Sequence, residues 1–271
     1  MTAEPTTKPS GFPAFWALAA AMLGIAVVMA YSNCRTNAFA LDDWHAVVEN
    51  PAIRGLNTDR IQRFFTDQNA FSILPANVDY RPLLLVSFGL NYELSSALHG
   101  DGYDPRTWHW LNMALHWFAC VGLFFVGSML IGTGRLSPLP RTSARAGEWL
   151  SLAAALVFAI HPITTECVNY ISARSSLMPA AFLLPALAVY LAVLAGRLPR
   201  WGLAFSVLLA ISAMLTKVEA VSFLGVVVLA EMFLAPAQQE HPLWRRPLQL
   251  ESWIRLAAFV VVTAAYLWLW K

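Results

Sequence analysis

Two adjacent carboxylates, Asp42 and Asp43, stand in the string Phe39-Ala40-Leu41-Asp42-Asp43-Trp44. Flanked by apolar and aromatic residues, such a pair repels itself and loses solvation, so one carboxyl tends toward a raised pKa. That suits a general base taking the proton of an attacking hydroxyl. It equally suits a divalent-cation site, Mg2+ or Mn2+, with Asp42 and Asp43 as oxygen ligands; no other cofactor is expected. The bland alternative is a helix N-cap followed by a first-turn acid.

Arg81 follows Asp79-Tyr80 and precedes Pro82, where a guanidinium can grip a phosphate bidentately or simply snorkel. His109, Asn112 and His116 recur at i, i+3 and i+7 and so share one helix face. They can ligate a metal or wall a polar cavity, and interhelical hydrogen bonding is the commoner use. His161-Pro162 opens a polar stretch that includes Glu166, Ser172, Arg174, Ser175 and Ser176. Thr216-Lys217-Val218-Glu219 interrupts an otherwise apolar run from Leu203 to Leu234. Ionisable residues at membrane depth are costly and usually face a cavity, though a turn between two spans also needs polar residues.

The elements that must position these residues follow from composition. Hydrophobic residues are 58% of the 271, charged residues 13%, and the net charge is +2. Soluble domains carry about a quarter charged residues, so this is read as an integral membrane protein; the near-neutral balance argues against nucleic acid as a partner. Apolar runs predict about seven transmembrane helices, near 14–31, 108–132, 149–161, 177–195, 201–215, 220–235 and 253–270. Lipid leaves no other backbone form for runs that lack barrel alternation. The first run is too long for a cleaved signal and is read as a retained anchor. Cys34, Cys120 and Cys167 are too few and scattered for a disulfide framework or a metal site, and a Cys34–Cys167 bond is not expected.

Lys and Arg in short loops set the orientation. Arg135, Arg141 and Arg145, then Arg197 and Arg200, then Arg245 and Arg246 mark one side as cytoplasmic. The acid pair, Arg81, the 161–176 stretch and Lys217 then share the opposite face. The long outer loop, 32–107, is predicted to hold short amphipathic helices over 46–66 and an interfacial or re-entrant helix over 83–98.

The string Phe39 to Pro51, FALDDWHAVVENP, resembles the first outer loop of the transmembrane-and-TPR O-mannosyltransferase family, in the GT-C superfamily of polytopic glycosyltransferases. Tyr80-Arg81-Pro82-Leu83 with Phe88, Asn91 and Tyr92 follows in order. Then come His109, Asn112 and His116, HPITTECV from His161 to Val168 with Arg174, and Thr216-Lys217. The resemblance covers roughly residues 14–235. Two departures stand out: Val218 takes the place of an acid after Lys217, and Ser175 and Ser176 replace an acid after Arg174.

The resemblance implies a single GT-C-like transmembrane domain over 14–271 behind a cytoplasmic tail 1–13, with nothing that reads as TPR. It implies a glycosyltransferase that moves a sugar from a polyprenyl-phosphate carrier to an acceptor hydroxyl on the extracytoplasmic face. Asp42 or Asp43 would be the base, with Arg81, Arg174 and Lys217 on the carrier phosphate. His109, His116, His161, Glu166 and Glu219 would support the cavity. Expected partners are membrane lipids, the lipid-linked sugar, a protein or glycan acceptor, and membrane subunits supplying the remaining half. The expected location is a bacterial inner membrane, with the site facing the periplasm or outside. The competing expectation is a catalytically idle GT-C-like scaffold subunit of a larger membrane complex.

Overall fold

The computed structural model describes residues 12–132, 144–234 and 250–270, all helix and connecting turns without a strand. Residues 1–11 of the expected tail, and Arg135, Arg141, Arg245 and Arg246 of the expected inner loops, lie outside them.

Helix α1 (Phe12–Tyr31) contains no charged residue and continues as a 3-10 turn through Thr36. Pro105 opens the 28-residue α4 (Pro105–Gly132), where a missing N–H is harmless at the first helical position. Helix α7 (Arg174–Leu194) carries Pro179 and Pro185 in its interior. Each removes a backbone hydrogen bond, which membrane helices tolerate when neighbours pack close. Four stretches are long and apolar enough to cross a membrane: Ala14–Thr36, Pro105–Ile131, Ile171–Leu194 and Leu250–Trp270. A fifth arises if α5 (Ala144–Ile160) and the segment Pro162–Asn169, bent by 50° at the break, form one span.

The protein is therefore an all-α polytopic membrane protein; among the described residues four or five stretches are long and apolar enough to span, which does not confirm the expected count of about seven. The two remaining runs are occupied by α8 (Trp201–Met214, 14 residues) and, within the described residues, α9 (Phe223–Leu234, 12 residues). At 1.5 Å per residue they reach about 21 and 18 Å against a hydrocarbon core of about 30 Å. The last helix, α10 (Leu250–Trp270), packs on both.

Inside lipid the apolar effect does not drive helices together, so close approach must come from shape. Ala19, Ala155 and Ala159 lie buried where α1, α4 and α5 meet. Ala186, Ala188, Ala192, Ala210 and Ala230 do the same among α4, α7, α8, α9 and α10. Gly122 on α4 faces the proline of α7: a Cβ there would lie 2.7 Å from Pro185 Cδ and 2.9 Å from its backbone nitrogen. At one end of the bundle Arg255 forks onto Glu231 at 2.6 and 2.9 Å, and the Tyr190 hydroxyl donates to the same carboxylate. This buried cluster ties α7, α9 and α10; sequence reasoning passed over it, although Glu231 inside an apolar run was its signal.

The connection between α1 and α4 forms the other end. A one-turn helix (Trp44–Val48), a 3-10 turn (Pro51–Ile53) and α2 (Thr58–Thr66) bear out the short helices predicted there. Helix α3 (Pro82–His99) occupies the predicted 83–98 segment and is not among the span-capable helices. Val47, Ile53, Phe64, Leu85 and Phe88 form a small core with Trp108, Ile171 and Met178. The buried Asn50 amide pins this loop, donating to the carbonyls of Ala46, Ala70 and Phe71 at 3.3, 3.1 and 3.2 Å.

Candidate active site

The break at His161-Pro162 and the turn after Met214 bring three connections to the same end of the bundle. The 37–45 segment meets 170–176 through Asp42, Asp43, Tyr170 and Ser172. The α8–α9 turn joins them through Lys217 Nζ, 3.3 Å from Ser176 Oγ, and through the Leu83 amide, which donates to Leu215 O at 3.0 Å.

The acid pair divides. Asp43 is 1% exposed. Its Oδ1 accepts from the amide and hydroxyl of Ser172 at 2.8 and 2.6 Å, and Oδ2 accepts from Ala40 N at 3.0 Å. Asp42 turns the other way: its side chain is 69% exposed, with Oδ1 3.4 Å from His45 Nε2. Its amide donates to the Tyr170 hydroxyl at 2.8 Å. The residue that makes the turn is Leu41, at φ 50°, a backbone region that L side chains with a Cβ occupy at a cost. Such strain gathers where structure is held for function.

A cavity of about 440 Å3 opens here, lined by Asp42, His45, Asp79, Arg81, Glu166 and Tyr170, with the serines at 172, 175 and 176 on its wall. Arg81 pairs with Asp79 at 2.6 Å and lies over the Phe71 ring at 4.9 Å, leaving its buried Nε without a partner. Lys217 also faces Glu219 at 3.5 Å. Burial pushes the Tyr170 phenol up to about 12, opposed by the Asp42 amide and reinforced by the charges of Asp42 and Asp43. It is therefore a neutral hydroxyl throughout the physiological range.

Other predicted site residues lie elsewhere. Arg174 is fully buried at the start of α7, outside the cavity lining. Its guanidinium donates to Asn112 Oδ1 (2.8 Å), Asn91 Oδ1 (2.7 Å), Ser87 O and Trp108 O (both 3.3 Å), between the rings of Phe88 and Trp108. His109 Nε2 meets Asn37 O at 3.1 Å and His116 Nε2 meets Ala159 O at 3.0 Å, so that face of α4 ties the helix to the 37–45 loop and to α5. His161 Nδ1 accepts from Ile163 N and caps the following turn. Of the five supporting residues only Glu166 lines the cavity. Among the described residues no three His, Cys, Asp or Glu side chains converge as a metal site. Of the acid pair, Asp43 already accepts three hydrogen bonds, two on Oδ1 and one on Oδ2. Sequence reasoning missed Tyr170 and His45; His45 stands three residues after Asp42, the spacing of one helical turn.

No protein-family model and no solved structure matches the chain. Curated proteins do. Protein O-mannosyl-transferase TMTC4 of Mus musculus is 31% identical over 185 residues, 65% of this chain and 23% of that protein. Protein O-mannosyl-transferase TMTC3 of Homo sapiens is 28% identical over 219 residues, 77% of this chain and 21% of its own length. Protein O-mannosyl-transferase Tmtc3 of Drosophila melanogaster is 28% identical over 242 residues, 83% and 24% respectively. The chain resembles the TMTC O-mannosyl-transferases. It spans about a quarter of the length of these relatives. Of the TMTC-like strings, those at 39–51, 80–83 and 161–168 each contribute to the cavity, through Asp42, Arg81 and Glu166. The TMTC-like face His109-Asn112-His116 instead fastens the bundle beneath it.

Proposed function

We propose that this chain is the catalytic membrane module of a glycosyltransferase of the GT-C class. It transfers mannose from a polyprenyl-phosphate carrier to a hydroxyl of a protein acceptor, with inversion at the sugar carbon. The observation that carries the proposal is the cavity itself. It holds an exposed carboxylate, Asp42, and a cation, Arg81, on the wall of one space at the end of an apolar bundle. The acceptor and sugar follow from the relatives' names. Arg197 and Arg200, in the turn between α7 and α8 at the opposite end of α7, support the extracytoplasmic placement.

In this reading the acceptor oxygen attacks the anomeric carbon as Asp42 takes its proton. The bond from that carbon to the phosphate oxygen breaks in the same step, and the leaving phosphate carries its charge to Arg81 and Lys217. A base near a weak nucleophile and cations on the leaving group are the two aids this displacement needs. Arg174, with its donors spent inside the bundle, supports the site by holding α7 in place.

The test uses the full chain reconstituted with polyprenyl-phosphate-[3H]mannose and a Ser/Thr-rich acceptor peptide. Asp42→Asn is expected to reduce transfer at least 100-fold while the melting temperature stays at the wild-type value. Undiminished transfer in Asp42→Asn removes the base from the proposal. Wild-type protein that transfers nothing, yet co-purifies in fixed ratio with other membrane proteins, makes it a scaffold.

A further inference from the structure

We propose that Tyr170 and His45 are positioning residues that grip Asp42 from two sides and fix the direction in which its carboxylate faces the cavity. The proposal rests on the glycosyltransferase reading and adds to it two residues that reading does not use.

An exposed carboxylate on a loop ordinarily samples several rotamers, and holding one has an entropic cost. Here two other chain segments help to hold it, one through Tyr170 directly and one through Ser72 on His45. From one side the Tyr170 hydroxyl, at the end of α6 (Thr165–Asn169), accepts the Asp42 amide proton at 2.8 Å. A phenol that accepts from an amide still has its own proton to give on the side of the cavity that both residues line. From the other side His45 Nε2 stands 3.4 Å from Oδ1, a gap of the kind that closes when a substrate docks. The His45 ring is itself set, because Ser72 Oγ meets Nδ1 at 2.9 Å and in turn accepts from Leu74 N at 3.0 Å.

Exposed hydrogen bonds of this sort contribute little to folding. A general base, in contrast, must come within about 3 Å of the proton it removes, and a misplacement of about 1 Å can cost about 100-fold in rate. The convergence on Asp42 therefore acts on the transfer step. Asp43 anchors the same turn from below, through Ser172, two residues beyond Tyr170.

The experiment compares wild type, Tyr170→Phe and His45→Gln in the reconstituted assay, with Tyr103→Phe as a control. The Tyr103 hydroxyl accepts from Arg54 Nε at 2.7 Å, outside the cavity lining. Tyr170→Phe is expected to lower kcat by about 10- to 100-fold, with the KM for polyprenyl-phosphate-mannose within twofold and melting unchanged. His45→Gln is expected to show the same split at smaller size, and Tyr103→Phe to match wild type. Unchanged kcat in Tyr170→Phe, or a raised KM at constant kcat, overturns the proposal. Hydrogen exchange of the Asp42 amide reads the grip without any assay. It should quicken at least tenfold in Tyr170→Phe, and exchange at the wild-type rate refutes the grip even if transfer itself is never seen.

Discussion

Asp43 turns both carboxylate oxygens on its surroundings, Oδ1 to Ser172 and Oδ2 to Ala40. An asparagine at that position has one acceptor fewer and sets an NH2 group against an N–H that needs a partner. Asp43→Asn should lower stability by about 1–3 kcal/mol, measured as the shift of the thermal midpoint in detergent. Asp42→Asn, on an exposed side chain, should stay within about 0.5 kcal/mol of wild type. Two variants that melt alike would contradict the division of labour within the pair. That division was not legible in the sequence, where the two aspartates are equivalent neighbours. It depends on Leu41 at φ 50°, and leucine is not a residue type that announces a left-handed turn. Tyr170 was hidden for a related reason: its role is created by a contact across 128 residues of chain.

Close helix approach in this protein rests on a few sites where nothing larger fits. Gly122→Ala on α4 should cost about 1–3 kcal/mol, because the added carbon meets the backbone of Pro185 and not a pliable side-chain end. Gly225→Ala on α9 is the matched control: no atom lies within 4 Å of its added carbon, so greater helix propensity should make it neutral or stabilising by up to about 1 kcal/mol. Midpoints for the two variants in one detergent compare them directly, and equal losses would show that the α4–α7 contact is loose. At this scale much was legible. The breaks at His161-Pro162 and at 216–219, and the α3 segment, all fell where polar or proline residues interrupt apolar runs. The number of spans did not follow, since hydropathy reports how apolar a run is and not how many of its residues the backbone keeps in one helix. Helix α8 nearly fills its short run 201–215, whereas the first residues of the run 220–235 belong to the 3-10 turn Val218–Ser222 and not to α9.

Across the whole molecule, the loop end and the helix bundle are joined through one buried cation. Arg174 at the head of α7 bonds to α3 through Ser87 and Asn91 and to α4 through Trp108 and Asn112. Arg174→Met should cost about 1–3 kcal/mol or more, because buried acceptor oxygens lose their charged donor. Arg174→Lys should recover little, because an ammonium is a single point and cannot reproduce the planar fork. A methionine variant with wild-type melting would mean that the guanidinium is not what joins the two parts. The family resemblance implied a phosphate ligand in Arg174; its neighbours in the structure come from helices far upstream. This ordering bears on how the protein is made. Every oxygen that receives the guanidinium belongs to residues 87–112, which leave the ribosome long before residue 174. The receiving pocket can thus be assembled ahead of its occupant, so that this charge enters the membrane with its acceptors already waiting.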